Sequence, residues 1–152
     1  MSTAVSKLIA IAKKEVGTRE SPPDSNNTKY GEWFGFNGVA WCGIFVSWCF
    51  SQSGNQLPKI GFSKGFAGCQ TAVKYFRDNK LIVDSPQPGD IVFYDWNGDG
   101  RYDHTGIFIS DLGNNTFSAI EGNTSMKNQS NGGMVMERIR SYGSAIFARP
   151  KI

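Results

Sequence analysis

Residues 41–53 read Trp-Cys-Gly-Ile-Phe-Val-Ser-Trp-Cys-Phe-Ser-Gln-Ser, apolar on nearly every side when wound as a helix. A helix apolar all round is a buried one. Gly54 is placed to end it. The rest of the chain therefore has to wrap this segment. Upstream, residues 18–40 are rich in Ser, Pro, Asn and Gly and read as a long irregular loop, with a turn of helix near Tyr30–Phe34. A loop longer than about 15 residues in a compact domain is usually functional. Further upstream, Val5, Leu8, Ile9, Ala12 and Val16 recur at helical spacing. Ser2 or Thr3 can cap that helix and Gly17 can close it.

Downstream, residues 55–67 form another loop. Residues 68–79 read as a third helix, with Ala72, Val73, Tyr75 and Phe76 on its apolar face. After Pro86-Gln-Pro-Gly-Asp90, a strong turn signal, the texture changes to short strands. These are Ile91–Tyr94, Thr105–Ser110, Thr116–Glu121, Val135–Ile139 and Ala145–Arg149. Gly113-Asn114-Asn115 reads as a hairpin turn, and Gly132-Gly133 marks a further loop. Helices first and strands after predict an α+β fold, with N-terminal helices packed on a C-terminal antiparallel sheet.

The 152 residues fit one domain, expected to span 1–152. The 18 glycines and 13% aromatics favour a loop-rich, sheet-containing fold. A net charge of +3 without a basic run argues against a nucleic-acid partner and is compatible with an anionic polymer. No segment approaches the roughly 20 apolar residues that cross a bilayer. The short run Leu8–Ala12 lacks the flanks of a signal peptide, so synthesis in the cytoplasm is expected. Of three cysteines, Cys42 and Cys49 lie seven apart on one helix, about 10 Å, too far for a disulfide. An odd count leaves at least one free thiol.

One histidine, His104, is present. A lone histidine is more often structural. If the chain is a cysteine–histidine hydrolase, however, His104 must be the base. A catalytic thiol wants a helix N-terminus, where N–H groups and the macrodipole favour the thiolate and a developing oxyanion. Cys42 sits where a Gly-rich loop becomes the buried helix. Cys69 also begins a helix and stays open on position alone. Cys49 lies mid-helix beside Trp48 and Phe50 and reads as a small core residue. Glu121 and Asn123, at the end of the next hairpin strand, are candidates to orient the imidazole.

Asp95-Trp-Asn97-Gly-Asp99-Gly100-Arg101-Tyr102-Asp103 is a second pattern. Side-chain oxygens at positions 1, 3, 5 and 9, a glycine at 6 and the Arg101 carbonyl at 7 suit a hard cation. The spacing resembles calcium loops of integrin propeller blades and the first half of an EF-hand, but Gly106 stands where an EF-hand has its glutamate. The alternative is an Asp/Gly-rich turn without metal. Asp95, Asn97, Asp99, Arg101 and Asp103 are the expected ligands of a structural Ca2+, placed to steady His104. A zinc enzyme is disfavoured, because one histidine and scattered cysteines make no ligand set.

Trp41-Cys42-Gly43, Gly89-Asp90-Ile91-Val92, Asp103-His104-Thr105-Gly106-Ile107 and Glu121-Gly122-Asn123, preceded by Asn27-Thr28-Lys29-Tyr30-Gly31, together resemble the cysteine- and histidine-dependent amidohydrolase/peptidase (CHAP) domain. The resemblance runs from about residue 8 to 149. It implies a papain-like fold and cleavage of peptidoglycan, as an N-acetylmuramoyl-L-alanine amidase or a stem or cross-bridge endopeptidase. It places the nucleophile at Cys42 rather than Cys69, the base at His104 and the polar partners at Glu121 and Asn123. It is also similar to bacteriophage endolysin catalytic domains, although a separate wall-binding domain, common in endolysins, has no room here. Asn27, Tyr30, Trp33 and Trp41 are then candidates to line a substrate groove, against the simpler reading of the aromatics as core. The expected partner is bacterial peptidoglycan, acted on at the cell wall by a monomer without membrane insertion. The competing readings are a papain-like protease or transglutaminase, and a calcium-dependent wall-binding module without activity.

Overall fold

The computed structural model describes residues 1–152. Four helices come first: α1 (Thr3–Glu15), α2 (Lys29–Phe34), α3 (Cys42–Gln52) and α4 (Cys69–Asp78). Six strands follow: β1 (Ile82–Val83), β2 (Ile91–Tyr94), β3 (His104–Gly113), β4 (Thr116–Thr124), β5 (Met134–Ser141) and β6 (Ala145–Ala148). They form one antiparallel sheet in the order β1-β6-β2-β3-β4-β5. The expected α+β class and every expected element are present. Two elements were not anticipated, the two-residue β1 and a 3-10 turn at Tyr142–Ser144. Two or three residues are too short to show a period.

The helix starts follow local chemistry. Ser2 accepts the Val5 N–H at α1, and Thr28 accepts the Gly31 N–H at α2. The β3–β4 hairpin turns through Asn114 and Asn115, both left-handed at φ 53° and 62°. Asparagine tolerates that conformation better than other side-chain-bearing residues.

α3 is the buried axis of the molecule. Cys42, Gly43, Ile44, Phe45, Val46, Ser47, Cys49 and Phe50 are all buried. It lies against β3 and β4, and Ile91, Phe93, Ile107 and Ile120 complete its core with Leu8, Ile9, Val73 and Phe76. Each fully buried side chain of this size contributes about 1.5–3 kcal/mol. The opposite face of the sheet carries a smaller cluster of Val92, Tyr94, Phe108, Phe117, Ala119 and Phe147.

The first turn of α3 is clamped by the segment leading to α4. A Cβ on Gly43 would stand 2.6 Å from the Ala67 carbonyl oxygen and 2.9 Å from the Phe66 ring. Ser47 adds a latch: its hydroxyl lies 2.9 Å from the Gly43 carbonyl and 3.0 Å from that of Phe66, and accepts the Phe66 N–H at 3.0 Å. This close approach brings the N-termini of α3 and α4 together, and with them Cys42 and Cys69.

Candidate active site

Cys42 is the first residue of α3, and Trp41 before it supplies no side-chain acceptor. The N–H groups of that turn have no partner within the helix and point at whatever sits before it. Cys42 is buried, only 6% exposed. The principal surface cavities are lined by other residues.

His104 and Glu121 are fully buried. His104 opens β3 opposite Tyr94 of β2. Its Nε2 lies 3.0 Å from Glu121 Oε1. Nδ1 is buried and has no hydrogen-bond partner. With Nε2 taken, Nδ1 is the ring nitrogen left free for proton exchange with Cys42, whose titration is linked to that of this imidazole. Tyr94 and Trp96 stack beside the ring, at centroid distances of 6.0 and 5.7 Å.

Glu121 is the hub. Its Oε2 accepts the Tyr94 hydroxyl at 2.7 Å and Arg140 Nε at 2.9 Å, while Oε1 accepts Arg140 Nη2 at 2.5 Å besides facing His104. Glu121 fits because residue 106, one step from the Ile107–Ile120 pair on the neighbouring strand, is glycine. A Cβ there would stand 2.5 Å from Glu121 Cγ.

The charges follow from these contacts. The Cys42 thiol is held well below its ordinary value, first by a hydrogen bond from the Cys69 thiol, against burial, and then by the bond and charge of His104. Burial pushes His104 down, but the bonds to Cys42 and Glu121 and their charges outweigh it and lift the imidazole to about 9. Burial likewise pushes Glu121 up, and Arg140 and His104 reverse this to about 2. These directions favour a thiolate–imidazolium pair backed by a carboxylate, the state in which cysteine is a nucleophile at neutral pH. Cys69, raised by its bond to Cys42 and by burial, remains a protonated donor. Cys49 is raised by burial and lies away from the site. All three cysteines are free.

The other expected residues divide. Asn123, with left-handed backbone at φ 58°, makes no hydrogen bond to His104. Its Nδ2 donates to Asn131 and its Oδ1 accepts the Gly133 N–H, which fastens the loop between β4 and β5. Tyr30 and Trp41 are fully buried and cannot line a groove. Tyr30 donates to Glu15 and stacks on Trp41, and Trp41 donates to Glu20. The groove expectation for these two is corrected: enclosed polar partners let large aromatics serve the core. Trp33 is half-buried under Lys64, and Asn27 sits at a polar surface hollow with Arg19, Glu32 and Asn37. Arg140, Tyr94 and Cys69 were missing from the expected constellation. Cys69 at a second helix start was the one signal available. An arginine on a strand reads as solvent-facing, and β4–β5 register is not written in either strand.

The acidic side chains of the Asp95–Asp103 loop accept from its own backbone. Asp95 accepts the N–H groups of Gly98, Asp99 and Gly100, Asp99 accepts that of Arg101, and Asp103 accepts that of Trp96. No three acidic, histidine or cysteine side chains gather as a metal-binding group anywhere in the chain. Asn97 and Arg101 lie on the same exposed loop.

The family model described as the CHAP domain matches residues 34–123, which include Cys42, His104 and Glu121. Over 136 residues the chain is 28% identical to the probable endopeptidase p60 of Listeria seeligeri, covering 90% of this chain and 20% of that protein. It is 35% identical over 78 residues to the uncharacterized protein YhbB of Bacillus subtilis (strain 168), covering 51% of this chain and 23% of that one. The chain thus spans about a fifth of the length of these curated relatives. The crystal structure of a wild-type endolysin, LysIME-EF1, superposes with a TM-score of 0.57 at 14% identity, covering 96% of this chain and 63% of that chain. That likeness is one of fold.

Proposed function

This chain belongs to the CHAP domain family, and from that premise we propose that it is a peptidoglycan hydrolase that cuts an amide bond through Cys42. The observation that supports the reading is the buried His104–Glu121 pair, with Cys42 linked to it in titration from the start of a buried helix. The names of the relatives, an endopeptidase and an endolysin, point the same way. The bond is then the muramoyl–L-alanine amide or a peptide bond of the stem or cross-bridge, and the natural setting is that of a phage endolysin.

The Cys42 thiolate attacks the amide carbonyl carbon and forms an S–C bond. The oxygen, now negative, is held by N–H groups of the first turn of α3. The C–N bond breaks as His104 gives its proton to the leaving amine. Water, losing a proton to His104, then hydrolyses the thioester and releases a carboxylate and the thiol. Glu121 keeps the imidazole in the orientation both steps need. The casein-protease, transglutaminase and idle wall-binding readings have no observation that favours them.

Purified Gram-positive sacculi digested by the native chain and by Cys42→Ala, with new termini identified by mass spectrometry, test this. New amino and carboxyl termini from the native chain alone are expected. Equal release by the variant overturns Cys42 as nucleophile, and no release from any wall type by the native chain overturns the substrate. Ca2+ at Asp95–Asp103 is also proposed, as a stabilising ion outside the chemistry, and no step above passes through it.

A further inference from the structure

Every lone-pair direction of the Glu121 carboxylate is in use. An ionised carboxylate has about four such sites. Here they meet His104 Nε2, Tyr94 Oη and two nitrogens of Arg140. Only one of the four contacts is with the catalytic base, and two belong to a single planar guanidinium. We propose that Arg140 is a positioning residue, whose fork holds Glu121 at the one rotation that presents Oε1 to His104 Nε2.

Arg140 is itself fixed in all directions. Nε and Nη2 grip Glu121, and Nη1 donates to Gln129 in the loop between β4 and β5. Its plane lies over Trp96 at 4.9 Å and Tyr94 at 5.3 Å, and the residue is 6% exposed. A lysine offers neither the fork nor the plane. The charged and titratable groups facing Glu121 are Tyr94 from β2, His104 from β3 and Arg140 from β5, with Arg138 along the same face of β5. Two negative groups, Cys42 and Glu121, are thereby balanced by two positive ones, His104 and Arg140. Buried charge persists only when paired and hydrogen-bonded. Without Arg140 the site carries one uncompensated negative charge, and Glu121 keeps only Tyr94 and His104 to stop it rotating.

This assignment rests on the hydrolase reading for its purpose, but its first test needs no substrate. His104 is the sole imidazole of the chain, so its N–H resonances in 15N-labelled protein are unambiguous. The native chain is expected to show an exchange-protected, low-field Nε2–H signal. Arg140→Met broadens it into exchange with water, and Arg140→Lys gives partial protection. An unchanged signal in folded Arg140→Met overturns the proposal. If Arg140→Met does not fold, an unchanged signal in Arg140→Lys overturns the role of the fork. The second test is a double-mutant cycle on wall-lysis rate. Arg140→Met lowers the rate on the order of ten- to a hundredfold in the native background, and adds no further loss to Glu121→Gln. Equal losses in both backgrounds mean a structural role alone. Absence of lysis by the native chain defeats the hydrolase reading and leaves the resonance comparison standing.

Discussion

Two regions of this molecule begin from equally legible patterns and end differently. The Cys42–His104–Glu121 nest gathers side chains from α3, β3 and β4, with Tyr94 and Arg140 from β2 and β5, and buries them together. The Asp95–Asp103 loop keeps its acidic groups local, each bonded to N–H groups a few residues away. In the first region the partners are remote, so burial strengthens every contact and shifts every charge. In the second they are neighbours in sequence, and the side chains fold the loop onto its own backbone. Polar groups tune one another's charges when they meet across elements and are buried together.

The largest test of that contrast is Gly106→Ala. The added methyl meets Glu121 Cγ at 2.5 Å and the Ile120 carbonyl oxygen at 2.9 Å. Overpacking of this kind costs about 1–3 kcal/mol. Because the displaced atom belongs to the hub, wall-lysis rate is expected to fall further than thermal stability accounts for. Retention of full activity would separate Glu121's position from the chemistry.

The pH dependence sharpens the comparison from the charge side. With His104 lifted to about 9 and Cys42 depressed, lysis is expected to be flat through neutrality and to fall as pH rises through about 9. The linked stability runs the same way. A base raised from 6.5 to about 9 contributes fully below 6.5, and that contribution is lost as pH climbs through 9. Glu121, lowered from 4.5 to about 2, contributes above 4.5, and that is lost as pH falls through 2. Cys69→Ala removes a donor to the thiolate, so alkylation of Cys42 by iodoacetamide should require higher pH than in the native chain. An unchanged alkylation profile would mean that Cys69 does not tune the nucleophile.

The last test, one of stability and not of activity, belongs to the loop. Calcium in about hundredfold excess over its Kd would add about 2.7 kcal/mol. For a chain of this size that is a melting-temperature rise of about 2–4 °C per kcal/mol. Identical melting curves with calcium and with chelator would leave the loop as a turn and end the calcium proposal.

Much was legible along the chain because its signals are local. The all-round apolar run from Cys42 marks a buried helix, the Asn114-Asn115 pair marks a turn, and alternating short runs mark strands. Cys42 at a helix start, a single histidine and Glu121 at the next strand end were candidates without any contact map, and the family resemblance chose Cys42 over Cys69. Periodicity, capping and backbone preference act over a few residues, so the sequence by itself determined the elements, their class and the pair proposed to react. Tertiary structure alone decided which polar groups meet. Asn123, one turn of strand beyond Glu121, went to the loop, and Tyr30 and Trp41 went to the core. Arg140, 19 residues beyond Glu121, closed the site. Strand register and helix docking are set by the packing of the whole sheet, and a hydrogen bond reaches only about 3 Å; no local pattern carries that information.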